Sequence, residues 1–407
     1  MNTTIYALQI SNIKQSPFIS GNTGFHNFYK VNYFRSINSF LFSIKRASFM
    51  FKSSRFVQNL NSAIIIDSSV RIINNETISQ TLTDIDFESL TIEDCVFNDC
   101  ESTQIGGGFY YNPSTTISYL HCLNSVFISC TSETCGAFSA IAENIDISSC
   151  CFANCFAQVS NQAFSIQGAK TNSVLQCTFL NCPDYIIHSH QLFAASHLGS
   201  LRNINVTHCN NNLPGIFFKI SGSTTLACSY ACFHNNTGQY PIVLNQITKL
   251  SFYYVSITSN KLYDGLLLVQ AASDPPSISF FYSSIQSNLI SDQNSFGSNF
   301  FITFQYYSLD QSFPDLFGKY GTLQYYSFFS SDIKPLKTPF STVPGCIYRE
   351  MTSQASTQPT HENNDNFLLY SISSVVIGIA LGATIAFIIY YLKKQKSVKD
   401  WYKQGED

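Results

Sequence analysis

Apolar and polar positions alternate with period two along most of the chain, in short runs broken by Gly, Pro and polar turns. One set of runs reads TTISYLHC, NIDISSCCF, TNSVLQCTF, TTLACSYACF, KLSFYYVSI and PSISFFYSSI. A second set follows a turn: GGGFYY, CGAFSAI, NQAFSIQ, PGIFFKI, YPIVLNQ, DGLLLVQ and SNFFITFQ. Alternation sends successive side chains to opposite faces of a strand, so one set is buried and the other exposed. No helical period competes with it before residue 367.

The first set of runs ends in a box that repeats. The boxes are CVFNDC (Cys95 to Cys100), SVFISC (Ser125 to Cys130), CCFANC (Cys150 to Cys155) and CTFLNC (Cys177 to Cys182). NVTHC, ACFHNN, VSITSN and SSIQSN continue the series, closing at Cys209, Asn236, Asn260 and Asn288. The closing residues lie 30, 25, 27, 27, 27, 24 and 28 apart, and an earlier copy is expected to close at Asn75 in RIINN. A repeat of this length marks a solenoid, in which no unit buries its apolar face alone. Two strand signals per repeat predict an all-β fold, a right-handed parallel β-helix with one coil per repeat.

Equivalent positions on neighbouring coils stack about 4.8 Å apart. Phe97, Phe127, Phe152 and Phe179 are then expected in one inward row, continued by Val206, Phe233, Ile257 and Ile285. Cys100, Cys130, Cys155, Cys182 and Cys209 form a second ladder at a corner, continued by Asn236, Asn260 and Asn288. Asn there can bond up the stack, and Cys fills the slot as a small hydrophobe.

The expected layout is N-terminal coils or a cap over 1–60, β-helix repeats over 61–332 and a Pro/Ser/Thr-rich stalk over 333–366. An apolar stretch without charge or proline, FLLYSISSVVIGIALGATIAFIIYYL, fills 367–392 and predicts one transmembrane α-helix. Lys393, Lys394, Lys396, Lys399 and Lys403 follow it, so 393–407 is the cytosolic tail and the bulk lies outside, the arrangement of a single-pass type I protein of the plasma membrane. Ser374, Gly378, Gly382 and Ala386 recur every four residues in the span, a packing face that permits a homodimer. Met1 to Ser20 does not read as a signal peptide. Either the start lies upstream, export uses a cryptic signal, or the chain is tail-anchored; an upstream start is the expectation.

Only 12% of the 407 residues are charged and the formal charge is -3, which excludes a basic nucleic-acid binder. Of 14 cysteines only Cys346 lies outside the segment from Cys95 to Cys232. Their spacing lacks paired C-x2-C ligands, so packed thiols are expected rather than zinc, with some bridges permitted. Sequons at Asn75, Asn205 and Asn235 are glycosylation candidates in an exported chain.

Catalytic constellations are thin. Asp84, Asp86 and Glu88 alternate on one face and are expected to be a solvated strand face. His188, His190, His197 and His208 cluster, with HSHQLFAASH expected as a loop between coils. No nucleophile elbow, phosphate loop or dinucleotide fingerprint occurs. No catalytic residue, cofactor site or metal site is expected.

The boxes resemble the F-x-x-[N/C] motif, and GGGF at Gly106 to Phe109 and CGAF at Cys135 to Phe138 resemble the G-G-A-[I/L/V] motif, of polymorphic outer-membrane-protein-like repeats. With its C-terminal span and Lys-rich tail, the chain is similar to right-handed β-helix surface proteins of trichomonad-type protists. That resemblance implies a surface location and an adhesive role without a catalytic site. The expected function is adhesion or binding of host or matrix glycans or proteins through the solenoid face. The alternatives are a membrane-anchored polysaccharide-active enzyme and a structural coat protein.

Overall fold

A computed structural model describes residues 2–329, apart from 15–16, 21–23, 45, 69–86, 115–116, 183–190, 211–215, 222–224, 239, 246, 264, 271–274, 291–298 and 312–320. The chain winds as a parallel β-solenoid, and every strand pairing among the described residues is parallel. Three ladders run its length. The first links Thr3–Tyr6, Gly24–Tyr29, Ala47–Lys52, Glu88–Glu93 and Ser118–Leu123. It continues through the ends of Phe138–Ser148 and Phe164–Leu175, through Gln191–Thr207 and Thr225–His234, and on to Gly321–Phe329.

The second ladder holds the boxes. It links Gln9–Ser11, Asn32–Phe34, Arg55–Val57, Val96–Asn98, Val126–Ile128, Cys151–Ala153 and Thr178–Leu180. The third carries the runs that follow the Gly turns, such as Phe109–Asn112 on Ile64–Asp67. One residue with positive φ makes the bend from the first ladder to the second on each coil, for example Asp94 (53°) and Asn124 (47°). Asn and Asp tolerate this left-handed conformation because a short polar side chain can bond locally.

Registry makes the core a set of columns. Phe56, Phe97, Phe127, Phe152 and Phe179 stack with centroids 5.0, 4.8, 5.2 and 5.0 Å apart. Val206, Phe233, Ile257 and Ile285 continue that column by register. Phe109, Phe138 and Phe164 form a second column, at 4.4 and 4.9 Å. Glycine is required at Gly107, where a Cβ would run into the Gly136 carbonyl of the next coil and sit 2.7 Å from the carbonyl oxygens of both Cys100 and Thr131.

At the far end of the second ladder lies the corner row. Cys100, Cys130, Cys155, Cys182 and Cys209 are buried free thiols on successive coils. The Cys155 sulfur donates to the Phe127 carbonyl at 3.5 Å and receives the backbone amide of Cys130. Asn236 uses the same two partners: its Nδ2 donates to the Val206 carbonyl at 3.0 Å, and its Oδ1 accepts the Cys209 amide at 2.9 Å. Cys in this row therefore carries the polar work of Asn as well as filling space.

One expectation changes. Phe97 pairs with Phe56, so the closing residue one coil before Cys100 is Asn59 and not Asn75. Asn75 falls in 69–86, a stretch inserted between those coils and outside the described residues. Within 1–60 the chain already forms coils, and Arg55–Val57 pairs with the strands on both sides. Among the described residues no helix is long and apolar enough to cross a membrane. The expected span at 367–392, its packing residues Ser374, Gly378, Gly382 and Ala386, the stalk and the tail all lie outside the described residues.

Candidate binding surface

The bend between the first and second ladders changes character along the solenoid. From Asp94 to Asn203 it is held by Asp94, Asn124, Ser149, Gln176 and Asn203, then by Tyr230, Tyr254, Tyr282 and Tyr306, all with φ between 47° and 55°. A bulky ring in the left-handed region is unfavourable by about 1–2 kcal/mol relative to ordinary backbone. Four in succession mean that something outweighs local preference.

Part of the compensation is mutual. The four rings stack with centroids 5.0, 4.9 and 4.7 Å apart and planes within 9° of parallel. Each such pair contributes about 0.5–1.5 kcal/mol. The Arg202 guanidinium closes one end, 5.6 Å from the Tyr230 centroid. Beside the column, Tyr253 and Phe281 stack at 4.8 Å on the outer face of the first ladder. All four column tyrosines stay exposed. Because the ring faces meet each other, ring edges and hydroxyls face solvent once per coil. The product is a narrow strip of apolar edge and hydrogen-bonding groups with a repeat of about 4.8 Å.

A second outward column lies on the coils before it. His121, Asp146, Ser173 and Ser200 align by register on the first ladder. Ser173 donates to Asp146 at 2.6 Å, and His121 Nδ1 lies 4.0 Å from the same carboxylate. His121 above all, and then Ser173, hold the Asp146 carboxyl below the usual carboxylate range against the effect of burial. Tyr119, Asn144 and Thr171 join them around an open depression of about 450 Å³. The order matters chemically. A serine nucleophile must donate to the base that takes its proton, with the carboxylate behind that base. Here the carboxylate stands between serine and histidine, so it orients both without activating Ser173. Nearby Glu143 is occupied by Lys170 at 2.5 Å.

The other residues singled out from sequence are dispersed. Glu88 is buried rather than solvated, because it faces inward beside Ser68, whose hydroxyl donates to it at 2.9 Å, and Ser114, whose amide donates at 3.0 Å. Asp84, Asp86, His188 and His190 lie outside the described residues. His197 lies on the strand Gln191–Thr207 and not in a loop, since Gln191 to Ser196 pair with Ile216 to Ser221. His208 sits at a positive-φ bend with its Nδ1 2.8 Å from Thr207 Oγ1. Among the described residues no group of three or more His, Cys, Asp or Glu could hold a metal ion. Of the sequon residues, Asn205 is buried within a strand and Asn235 is exposed at a bend.

Both outward columns escaped the sequence reading, yet a signal existed. His121, Asp146 and Ser173 each stand four residues before the first residue of a box, and Tyr230, Tyr254 and Tyr282 each stand one before the corresponding residue. The chain matches no protein-family model, no curated protein and no solved structure.

Proposed function

We propose that the protein is a cell-surface binding protein that engages glycans or extended protein partners along the tyrosine column. The observation that carries this reading is the run of four stacked, exposed tyrosines at bends where the five preceding coils use Asp, Asn, Ser or Gln. Aromatic edges and hydroxyls repeated once per coil suit weak contacts with a repetitive chain, and repetition converts them into useful affinity. The neighbouring depression around Asp146 adds polar contacts to the same face.

The apolar stretch 367–392 and the lysines after it support a single-pass type I anchor in the plasma membrane, with the solenoid outside. The F-x-x-[N/C] boxes and the Gly turns support a place among the trichomonad-type β-helix surface proteins. The test is retention of the full chain, in detergent, on panels of pectin, mucin and cell-surface glycans. Changing Tyr230, Tyr254 and Tyr282 to Ser together should abolish retention and leave the circular dichroism of a β-protein unchanged. Retention that survives the triple change overturns the column as the site. Release of cut oligosaccharide, lost in Asp146→Asn, would favour the polysaccharide-active alternative.

A further inference from the structure

Charge is divided between the coils. Residues 1–60 hold seven lysines and arginines and no aspartate or glutamate, whereas residues 61–101 hold nine acidic residues and one arginine. The bends at the two ends of each second-ladder strand follow that division. They are Lys30 and Arg35 around Asn32–Phe34, Ser53 and Gln58 around Arg55–Val57, and Asp94 and Asp99 around Val96–Asn98. All six have φ between 51° and 56°, a conformation in which Asn and Asp are locally preferred. Two long cations therefore stand on one coil against local preference.

Beside them lies an open depression of about 460 Å³ on the outer face of the second ladder, lined by both Arg35 and Arg55. Arg55 is next to Asn32 by register, Asn32 is next to Gln9, and all three are exposed. Phe34 and Val57, half-buried, add apolar surface to it. Arg35 Nε donates to Gln58 Oε1 at 3.4 Å, which orients the guanidinium and leaves its other N–H groups for a ligand. Among the described residues neither Arg35 nor Arg55 makes an ion pair, whereas Lys52 is taken by Glu93 at 2.7 Å. We infer that this face is a second binding site, for a linear acidic polysaccharide bearing sulfate or carboxylate groups.

Each group in the depression has a counterpart in such a ligand. A planar guanidinium offers paired donors to an oxyanion. The side-chain amides of Gln9, Asn32 and Gln58 both donate and accept, as sugar hydroxyls require. Phe34 and Val57 can receive the apolar face of a sugar ring. The charges also set direction. A polyanion running along the solenoid axis meets Asp94 and Asp99 and is repelled. Running along the strands it meets Lys30, Arg55 and Arg35, and the five residues from Lys30 to Arg35 cover roughly 16 Å of strand. The tyrosine column lies on other coils and follows the axis, so this site does not depend on that reading.

The test is binding of the full chain, in detergent, to immobilised heparin, polygalacturonate, neutral dextran and duplex DNA over a salt series. The chain should bind one or both acidic polysaccharides, ignore dextran and lose that binding as salt rises. Binding to heparin alone names sulfate as the recognised group, and to polygalacturonate alone carboxylate. Arg35→Gln with Arg55→Gln should weaken it about tenfold or more, the effect of removing charge-assisted bonds. Lys249→Gln with Lys261→Gln removes the same charge from exposed positions on a distant coil and should change nothing. In the unaltered chain, bound polysaccharide should shield Arg35 and Arg55 from phenylglyoxal. The column's contacts are uncharged, so retention at raised salt reports on the tyrosines, and the salt-sensitive part should survive their triple change. No binding to either acidic polysaccharide, tighter binding to DNA, equal loss in the arginine and lysine pairs, loss with the tyrosines, or arginines left unshielded would each overturn the inference.

Discussion

The side-chain oxygen of Asn260 accepts two bonds from Asn236, from its backbone amide at 2.9 Å and from its Nδ2 at 3.0 Å. Asn260 Nδ2 in turn donates to the Phe233 carbonyl at 3.0 Å and to Asn288 Oδ1 at 2.9 Å. One side chain thus satisfies buried groups on the coils before and after its own. Asn260→Ala orphans several of them, at about 1–3 kcal/mol each. Asn260→Cys should cost less, because a thiol holds the equivalent amide and carbonyl on the earlier coils. Denaturant unfolding should rank the wild type first, the Cys variant second and the Ala variant last.

Tyr254 separates binding from stability. Tyr254→Asn relieves a bulky residue at φ 55° and removes two stacked contacts. The gain of about 1–2 kcal/mol offsets losses of about 0.5–1.5 kcal/mol for each contact. The melting temperature should therefore move little while retention on a bound glycan falls. A large loss of stability would mean that the column exists for the fold.

Alkaline pH should unfold the solenoid through its thiols. Burial pushes the Cys95 and Cys228 thiols from 9.0 up to about 12, and that of Cys135 up to about 11. Below pH 9 both folded and unfolded chains keep these protons and nothing is lost. Above it the unfolded chain releases protons that the fold retains, so each thiol removes about 1.4 kcal/mol per pH unit until its folded value is passed. Urea midpoints measured from pH 8 to pH 11 should fall, and less steeply in Cys228→Ala.

The Phe column is sensitive to size. Phe152→Ala opens a cavity between Phe127 and Phe179 and should lower stability by about 3–5 kcal/mol. Phe152→Asp buries an unpaired charge and should leave no folded protein. Gly107→Ala drives a methyl group against three carbonyl oxygens and should be as damaging as Phe152→Ala, although it removes nothing. Expression yield and thermal unfolding check all three.

The columns could be read from sequence because a solenoid converts spacing along the chain into adjacency in space. The period of the boxes placed Phe97, Phe127, Phe152 and Phe179 in one row, and alternation fixed which side faced in. What failed was the first copy. RIINN satisfies the pattern as well as FVQN at Phe56 to Asn59, and no local property marks 69–86 as an insertion. Glu88 failed for a related reason. Alternation gives a residue its face, yet the acidic run from Asp84 suggested solvent, whereas the bonds from Ser68 and Ser114 accommodate a carboxylate on the inward side. The tyrosine column was missed because what sets it apart is a φ value, which KLSFYYVSI does not reveal, although the place of each Tyr one residue before its box was legible.

The registry of the coils also makes the solenoid a ruler. Each coil advances about 4.8 Å, so Tyr230, Tyr254, Tyr282 and Tyr306 mark three equal intervals along one bend. Gain or loss of one whole coil would lengthen or shorten this scale by a single graduation and leave the other marks evenly spaced, because each rung meets only its neighbours.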